Sequence, residues 1–422
     1  MGHALHLYLG RLRQLQGNAR LFLVNAVLAG FAASISGLFF NLYIDSLGMS
    51  RSFLGTLRAL PPLVTFFLAL PSGLLADRIG RKSALLIGRA GSTCALLLFT
   101  LSASPLSMLG LYLLRASFEF LYQVTAGAFM VENSTPEERM TLFSAGYGLP
   151  TLVGAAGYFL GGYLPGLFAL LLGLSHASAY RATLWTVAGL ELLCLIPLGA
   201  LAGQPRPEAA SEGATSGDQP AAYQDLRAQM PFLRRYLVTI VIAYLGANLI
   251  IPYLNLFFRD RYHLADATLG WVFAVSQGVT GLLIALAPLV ADRWGRIRGM
   301  TLTGLASIPL VLAIGFAPSP VVAVGAFWIR AGLMRIGNPL YDSFFLEHFS
   351  PRTRATASSL NQMAVNAGGA LGSRLSGYVQ DRYGYAPLFL GTALFYLLFL
   401  GLTYSFFARE DRKEGTGVQS VA

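Results

Sequence analysis

One segment of ten residues occurs twice in this chain. Gly73–Lys82 (GLLADRIGRK) returns in altered form as Pro288–Ile297 (PLVADRWGRI), 215 positions later, and each copy lies between two long apolar stretches. A repeat at a constant offset predicts a duplicated structural unit. The same offset relates residues well outside the segment: Asp45 and Asp260, Gly55 and Gly270, Arg115 and Arg330, Glu132 and Glu347, Gly157 and Gly372. The sequence therefore predicts two homologous halves.

Composition places both halves in a membrane. The chain has 422 residues, of which 55% are hydrophobic and only 12% charged, too few polar residues for the surface of a soluble domain. Apolar runs of about twenty residues can cross a hydrocarbon core. Twelve such runs give an all-α, twelve-helix membrane protein, with spans predicted at 21–45, 52–75, 83–103, 105–130, 141–165, 180–202, 234–258, 268–290, 299–317, 320–346, 355–379 and 385–408.

The predicted spans divide the chain into five parts. These are an interfacial N-terminal segment (1–20), a six-helix bundle (21–202), a Pro/Gly/Ser-containing linker (203–233), a second six-helix bundle (234–408) and a tail (409–422). Most of the 30 Lys and Arg residues fall on the side that holds both termini and the linker. By the positive-inside rule, that side is the cytoplasm. We expect the membrane to be the plasma membrane. The net charge of +10 then records topology, so no nucleic-acid partner is expected.

Signatures of enzymes and of nucleotide-driven pumps are absent from the sequence. It has no H-E-x-x-H and no G-x-S-x-G, and both lysines, Lys82 and Lys413, follow an arginine, which excludes a Walker loop. Cys94 and Cys194 lie in apolar spans and support neither a disulfide framework nor a metal site. We therefore expect no enzyme, no cofactor and no metal, but a monomer in a lipid bilayer that moves a small molecule with a proton or other ion gradient.

The repeated segment resembles the signature that the major facilitator superfamily carries between its second and third helices. The resemblance covers nearly the whole chain, and implies two six-helix bundles, a site at the membrane midplane and alternating access. Gly73 is predicted to allow close helix approach, and Gly80 is predicted to allow a tight turn. The Asp77 carboxylate is predicted to accept a hydrogen bond from Arg139. The segment is predicted to be a conformational latch, although its charges alone would also set topology. The latch residues are Gly73, Asp77, Arg78, Gly80, Arg81, Lys82, Arg139, Asp292, Arg293, Gly295 and Arg296.

Two arginines occupy membrane depth in equivalent helices. At 1.5 Å per residue, Arg115 lies about 15 Å below the turn at Pro105, and Arg330 lies equally far from Pro320. A charge at this depth costs about 2.5 to 3.5 kcal/mol or more and is usually functional or paired. Helices four and ten line the central cavity in the superfamily that the chain resembles, which implies that both arginines face the transport path.

Glu119 is the predicted proton carrier. The run Leu111–Glu119 resembles the L-x-x-x-R-x-x-Q-G motif of proton-coupled drug antiporters, with Phe118 and Glu119 in place of Gln and Gly. Spacing of four residues puts Glu119 on the Arg115 face, and burial and a nearby arginine shift a carboxyl pKa in opposite directions. A static Arg115–Glu119 pair is the alternative. In helix five, Gly157–Gly162 resembles the G-P-x-x-G-G core of exporters, with Tyr158 replacing Pro, and favours export.

Uncharged polar residues of the spans complete the predicted substrate and proton pathway. They are Asn25, Asn41, Tyr122, Gln123, Asn248, Asn255, Gln277, Asn338 and Gln362. For any single one of them a hydrogen-bonding contact between helices is favoured, whereas the set as a whole indicates a polar or amphipathic substrate. Arg335, Asn338 and Asp342 form a further stripe on helix ten, where pairing of Asp342 with Arg335 is favoured over a functional role.

Three functions are compatible with these features. The first is a secondary transporter that exports small amphipathic compounds by proton coupling, with Arg115, Glu119 and Arg330 central. The second is an uptake or exchange permease for a small organic anion or sugar-like metabolite, in which the two arginines bind the substrate's charge. The third is a membrane receptor on the same fold that transports nothing.

Overall fold

The computed structural model describes Leu15 and residues 17–202, 219–284, 286–350 and 353–418. Parts of the predicted N-terminal segment (1–14 and 16), linker (203–218) and tail (419–422) lie outside the described residues. The first half contains α1 (Gly17–Ser46), α2 (Arg51–Ile79), α3 (Arg81–Leu101), α4 (Pro105–Glu132), α5 (Pro136–Gly161), α6 (Leu164–Leu172), α7 (His176–Leu193) and α8 (Leu195–Gly199).

The second half continues with α9 (Gln219–Ile250), a 3₁₀ turn (Ile251–Tyr253), α10 (Leu254–Tyr262), α11 (Asp266–Ile284), α12 (Ala287–Trp294), α13 (Arg296–Phe316), α14 (Pro320–Glu347), α15 (Arg354–Tyr383) and α16 (Ala386–Val418). Helix α9 begins inside the predicted linker. The predicted seventh span is interrupted at Ile251–Tyr253, because Pro252 lacks an N–H group and cannot continue the helix.

The all-α prediction is confirmed. Within the described ranges the regular secondary structure is helical, and ten helices are long and apolar enough to cross a membrane. The other two predicted spans, the fourth and the eleventh, correspond to α4 and α15, which are 28 and 30 residues long but more polar. The chain is thus a multi-pass membrane protein.

Local sequence signals fix several helix starts. Helices α4 and α14 begin at Pro105 and Pro320, where the fixed φ of proline and its missing N–H suit the first helical position. Helix α5 begins with a capping box: the Thr135 side chain accepts from the Glu138 N–H, and the Glu138 side chain accepts from the Thr135 N–H. These starts place the polar residues of α4 and α14 at defined depths.

The chain folds into two compact units. Unit 1 takes in Met1–Met49, Leu63–Arg206 and Leu264–Gln277, and unit 2 takes in Ser50–Pro62, Pro207–His263 and Gly278–Ala422, in each case as far as the residues are described. Helices α2 and α11 are therefore each divided between the units. The predicted bundle boundaries did not anticipate this division.

Glycines at equivalent positions bring helices together in each unit. In unit 1, a Cβ atom at Gly162 would lie 2.9 Å from Cα of Gly270; in unit 2, a Cβ atom at Gly55 would lie 2.9 Å from Cα of Gly377. Gly55 and Gly270 are 215 positions apart, and so are Gly162 and Gly377. Only glycine permits backbones to approach this closely. The same contact is therefore made once in each unit.

Candidate functional site

Six polar side chains of unit 1 form a buried network, called here the polar cluster. Helix α1 contributes one residue, α3 one, α4 three and α7 one, and the members are Asn25, Arg89, Arg115, Glu119, Tyr122 and Glu191. Two arginines and two glutamates give the cluster a formal charge of zero. Opposite charges that pair inside a membrane span offset much of their desolvation cost.

The first ion pair of the polar cluster joins α4 to α7. Nη2 of Arg115 donates to Oε1 of Glu191 at 2.8 Å, and Oγ1 of Thr93 donates to the other carboxylate oxygen at 3.0 Å. The side chains are only 15% and 5% exposed. Each carboxylate oxygen of Glu191 therefore has a donor, and the side chain is shielded from water.

The second ion pair joins α3 to α4 and is looser. Nη1 of Arg89 lies 3.4 Å from Oε2 of Glu119, and the hydroxyl of Ser92 donates to the same oxygen at 3.3 Å. The Arg89 side chain is 5% exposed, whereas that of Glu119 is 32% exposed. Glu119 is thus the carboxylate of the polar cluster with access to its surroundings.

Tyr122 links Arg89 to α1. The Arg89 guanidinium lies 4.0 Å from the centre of the Tyr122 ring, a distance at which the cation is attracted to the ring face. The Tyr122 hydroxyl accepts from the side-chain amide of Asn25 at 2.5 Å, and Asn25 is fully buried. Arg89 therefore has two partners, the Glu119 carboxylate and the Tyr122 ring.

The pairing within the polar cluster differs from the prediction. Arg115 and Glu119 were expected to share a helix face, with a static pair between them as one alternative. Each instead pairs with a residue of a neighbouring helix, Glu191 or Arg89, because these helices bring an opposite charge closer than the next turn of α4 does. Arg89 was not among the predicted site residues, although an arginine inside an apolar span is a usable signal.

Arg330, the equivalent of Arg115 in unit 2, is also engaged within its own unit. It is 4% exposed, and its Nη2 donates to the hydroxyl of Tyr396 on α16 at 2.8 Å. Tyr396 follows Glu191 by 205 positions, ten fewer than 215, and the first half contains an extra helix, α6, of nine residues before Glu191. A neutral phenol thus occupies in unit 2 the place that a carboxylate occupies in unit 1.

The predicted polar stripe of α14 is exposed, whereas Arg330 is buried. Arg335, Asn338 and Asp342 are all classed as exposed, and none of them has a hydrogen-bond or ion-pair partner among the described residues. The predicted pairing of Asp342 with Arg335 is therefore wrong. Seven residues separate them, about 10.5 Å along the helix, which is too far for an ion pair.

The remaining predicted pathway residues are spread over both units. Asn41 and Asn255 are buried, Gln277 is half-buried, and Gln123 and Gln362 are exposed. The Asn248 side-chain amide donates to the carbonyl of Tyr244, and that of Gln362 donates to Asn366 at 3.4 Å. Both bonds lie within a single helix, so they do not decide between a contact between helices and a role in transport, and both stay predictions for these residues.

The first copy of the repeated loop is held by ion pairs. Arg81 contacts Asp77 at 2.7 Å and Glu132 at 2.9 Å, and Nζ of Lys82 donates to the carbonyl of Leu201 at 2.7 Å. Gly80 has a φ of +86°, a conformation that favours glycine and makes the turn into α3. Asp77 was predicted to accept from Arg139, but its partner among the described residues is Arg81, one helical turn away.

Two further predictions for the loop can be compared with the structure. Gly73 was expected to permit close helix approach, but a Cβ atom there would meet nothing within 4 Å among the described residues. In the second copy Arg296 pairs with Glu347, as Arg81 does with Glu132, and Gly295 has a φ of +77°. Asp292 has no ion-pair partner in the described part of the chain, whereas Asp77 has one. Arg78 is a residue of the first copy. In the second copy, the Arg293 guanidinium lies 5.6 Å from the centre of the Trp294 ring.

Unit 2 contains a polar contact at the start of α2. The Asp381 carboxylate accepts from the backbone N–H of Arg51 at 2.8 Å and of Ser52 at 2.7 Å. The Arg51 side chain in turn pairs with Asp260 at 2.8 Å, and the Tyr385 hydroxyl donates to Asp260. Asp381 therefore acts as an N-terminal cap that comes from another helix.

Charged clusters inside the spans of a helical membrane protein are typical of transporters for small molecules, and comparison with known proteins gives the family. The profile of the Major Facilitator Superfamily matches residues 22–240 and 236–421. The chain belongs to this superfamily, as its loop motif predicted.

Relatives and solved structures agree with that assignment. The chain is 27% identical over 403 residues to the multidrug resistance protein MdtG of Enterobacter lignolyticus. This alignment covers 90% of each of the two proteins. It is 28% identical over 383 residues to MdtG of Dickeya zeae, 86% of this chain and 88% of that protein. The nucleoside transporter NupG has the same fold, with a TM-score of 0.70 and 16% identity over 93% of this chain and 99% of NupG. A D-xylose–proton symporter also has this fold. Its TM-score is 0.71, and it is 14% identical over 92% of this chain and 97% of the symporter.

Proposed function

We propose that this protein exports small amphipathic compounds from a bacterial cell by alternating access, driven by protons, with both termini and the linker in the cytoplasm. The names of the two MdtG relatives support export of drug-like compounds, and the substituted glycine motif of α5 supports the direction. The observation that carries proton coupling is the Glu119 carboxylate, which is 32% exposed and loosely paired inside a membrane span.

Glu119 is suited to proton exchange because it combines access with a replaceable partner. A carboxyl group that releases and takes up protons must reach water, and Glu191, at 5% exposure and with two donors, is a poorer candidate. When Glu119 is protonated it loses the attraction of Arg89, and the Arg89 guanidinium still has the ring of Tyr122. Protonation would thus change the contacts between α3 and α4 and leave the Tyr122 ring as a remaining partner of Arg89.

Direct binding of an organic anion by Arg115 and Arg330 is less favourable. The Arg115 guanidinium is engaged with Glu191, and that of Arg330 is 4% exposed and donates to Tyr396. An anion would have to displace these partners and enter a buried site. We therefore favour proton-coupled export over an anion permease.

Transport in proteoliposomes with an imposed pH gradient tests the proposal. We expect the wild type to accumulate amphipathic compounds such as ethidium against their gradient, and Glu119→Gln to lose this accumulation but keep downhill movement. Glu138→Gln is the matched control, because it removes a carboxylate from the α5 capping box, where glutamine also serves. Accumulation by Glu119→Gln at the wild-type level would remove Glu119 from the coupling role.

A further inference from the structure

Helix α14 presents a polar stripe that the polar cluster does not include. Arg335, Asn338 and Asp342 are spaced i, i+3 and i+7, so their side chains lie on one face of the helix. All three are exposed, and together with Pro339 and Leu346 they form a continuous exposed stripe. Arg335 lies about 22 Å from the helix start at Pro320, well within the span.

The two charges of this stripe differ from the four charges of the polar cluster. Arg89, Arg115, Glu119 and Glu191 all have an opposite charge within 4 Å, whereas Arg335 and Asp342 have no such partner among the described residues. An ionised side chain that is both exposed and unpaired must be hydrated, because exposure to lipid is too costly. The stripe of α14 therefore faces water, within the span at Arg335 and near the cytoplasmic end of the span at Asp342, about 33 Å from Pro320.

Helix α9 places an aromatic side chain beside the stripe. The rings of Tyr236 on α9 and Tyr341 on α14 stack at 4.6 Å, and the hydroxyl of Tyr341 lies 2.7 Å from that of Thr239. Tyr244 follows Tyr236 by two helical turns, and it lies within electrostatic range of both Asp342 and Arg335. Its half-buried side chain therefore lies near both charges of the stripe.

We propose that Tyr244, Arg335, Asn338 and Asp342 bind a zwitterionic amphipathic substrate lengthwise along α14. This inference rests on the proposed function and names the substrate class that such an exporter would carry. The carboxylate of the substrate pairs with Arg335, whose planar guanidinium suits two parallel hydrogen bonds. Its ammonium group pairs with Asp342, its apolar body contacts Tyr244, and Asn338 offers a hydrogen bond between the two ends.

The spacing of the two charges sets the length of the substrate. Arg335 and Asp342 are about 10.5 Å apart along the helix axis, so a compact zwitterion such as a free α-amino acid reaches only one of them. A rigid molecule with its charges at opposite ends reaches both. Charge and length are therefore both selected.

Four synthetic probes test the charge and length requirements in purified protein at one pH. The zwitterion is 4′-(aminomethyl)biphenyl-4-carboxylate, whose charged groups are about as far apart as those of Arg335 and Asp342. Biphenyl-4-carboxylate lacks the ammonium, 4-(aminomethyl)biphenyl lacks the carboxylate, and 4-(aminomethyl)benzoate is a shorter zwitterion. We expect the long zwitterion to bind about tenfold more tightly than each of the others, the difference that one charge-assisted contact makes.

Two variants assign each end of the probe. Asp342→Asn should reduce the affinity of the long zwitterion to that of the anion and leave the anion unchanged, and Arg335→Gln should reduce it to that of the cation. Glu138→Gln should leave all affinities unchanged. The proposal is overturned if the wild type binds none of the probes, if it binds all of them equally, or if either variant weakens all probes alike.

Cysteine labelling tests whether the stripe faces water, with no need for a ligand. In a background with Cys94→Ala and Cys194→Ala, Arg335→Cys, the stripe position well within the span, should react rapidly in liposomes with a charged methanethiosulfonate. Ile329→Cys, an exposed apolar position on another side of α14, should react slowly. Equal slow labelling at both positions would refute a hydrated stripe. Neither the binding nor the labelling experiment uses a pH gradient, so failure of proton coupling leaves their outcomes unaffected.

Discussion

Nη2 of Arg115 lies 2.8 Å from Oε1 of Glu191, so that a positive charge of α4 and a negative charge of α7 compensate each other inside unit 1. Both residues lie in segments that were predicted to span the membrane. Their pairing makes each one depend on the other.

Removal of one member of this pair should destabilise the protein strongly. Glu191→Gln leaves the Arg115 charge uncompensated, which costs about 3 to 5 kcal/mol for a buried pair. The double variant Arg115→Met/Glu191→Leu removes both charges and should recover most of the loss. Thermal unfolding in detergent measures both effects, and equal melting temperatures for the single and double variants would contradict the prediction.

The close approach of α2 and α15 should not tolerate a methyl group. In Gly377→Ala the new Cβ would overlap the carbonyl oxygen of Arg51, and overpacking of this kind costs about 1 to 3 kcal/mol. Gly401→Ala is the control, because a Cβ there meets nothing within 4 Å among the described residues. We expect a lower melting temperature for Gly377→Ala only. No difference between the two variants would argue against the contact.

The Asp381 cap should contribute a stability that depends on pH. Burial raises the pKa of the Asp381 carboxyl, but hydrogen bonds from Ser52 and Arg51, together with the Arg51 charge, outweigh burial and lower the pKa below its usual 3.8. A lowered pKa in the folded state stabilises the protein above pH 3.8, and the stabilisation is lost as the pH falls further. Wild type should therefore melt above Asp381→Asn at pH 7, with a gap that narrows below pH 4. A gap independent of pH would refute the charge as its cause.

The two copies of the repeated loop offer matched substitutions. Asp77 pairs with Arg81, whereas the equivalent Asp292 has no ion-pair partner in the described ranges. A surface ion pair contributes up to about 1 kcal/mol, so Asp77→Asn should shift a conformational equilibrium by up to about fivefold. Asp292→Asn should have little effect. The two variants are compared by their initial transport rates in membrane vesicles. Equal rates for Asp77→Asn and Asp292→Asn would remove the distinction between the copies.

The fold could be predicted from the sequence because its signals are local or periodic. The 215-residue offset, the apolar runs and prolines such as Pro105 and Pro320 each report on one segment at a time. Breaks at Pro252 and at Cys194 were missed, because the apolar runs continue across them.

The site was predictable only in part, because its pairs join distant segments. The sequence singled out Arg115 and Glu119, but their partners come from α7 and α3, and only helix packing decides which carboxylate meets which guanidinium. The same holds for Arg330 and Tyr396, where the extra helix α6 shifts the register between the halves. The solvation of Asp342 likewise depends on neighbouring helices.

The exchange of a carboxylate for the phenol of Tyr396 has an electrical consequence. Arg115 is neutralised by Glu191, but Arg330 keeps its full positive charge in the interior of unit 2. One elementary charge that moves through the whole field of a membrane is worth about 2.3 kcal/mol per 100 mV. A displacement of Arg330 along the membrane normal during turnover would make the rate sensitive to voltage, even for an uncharged cargo.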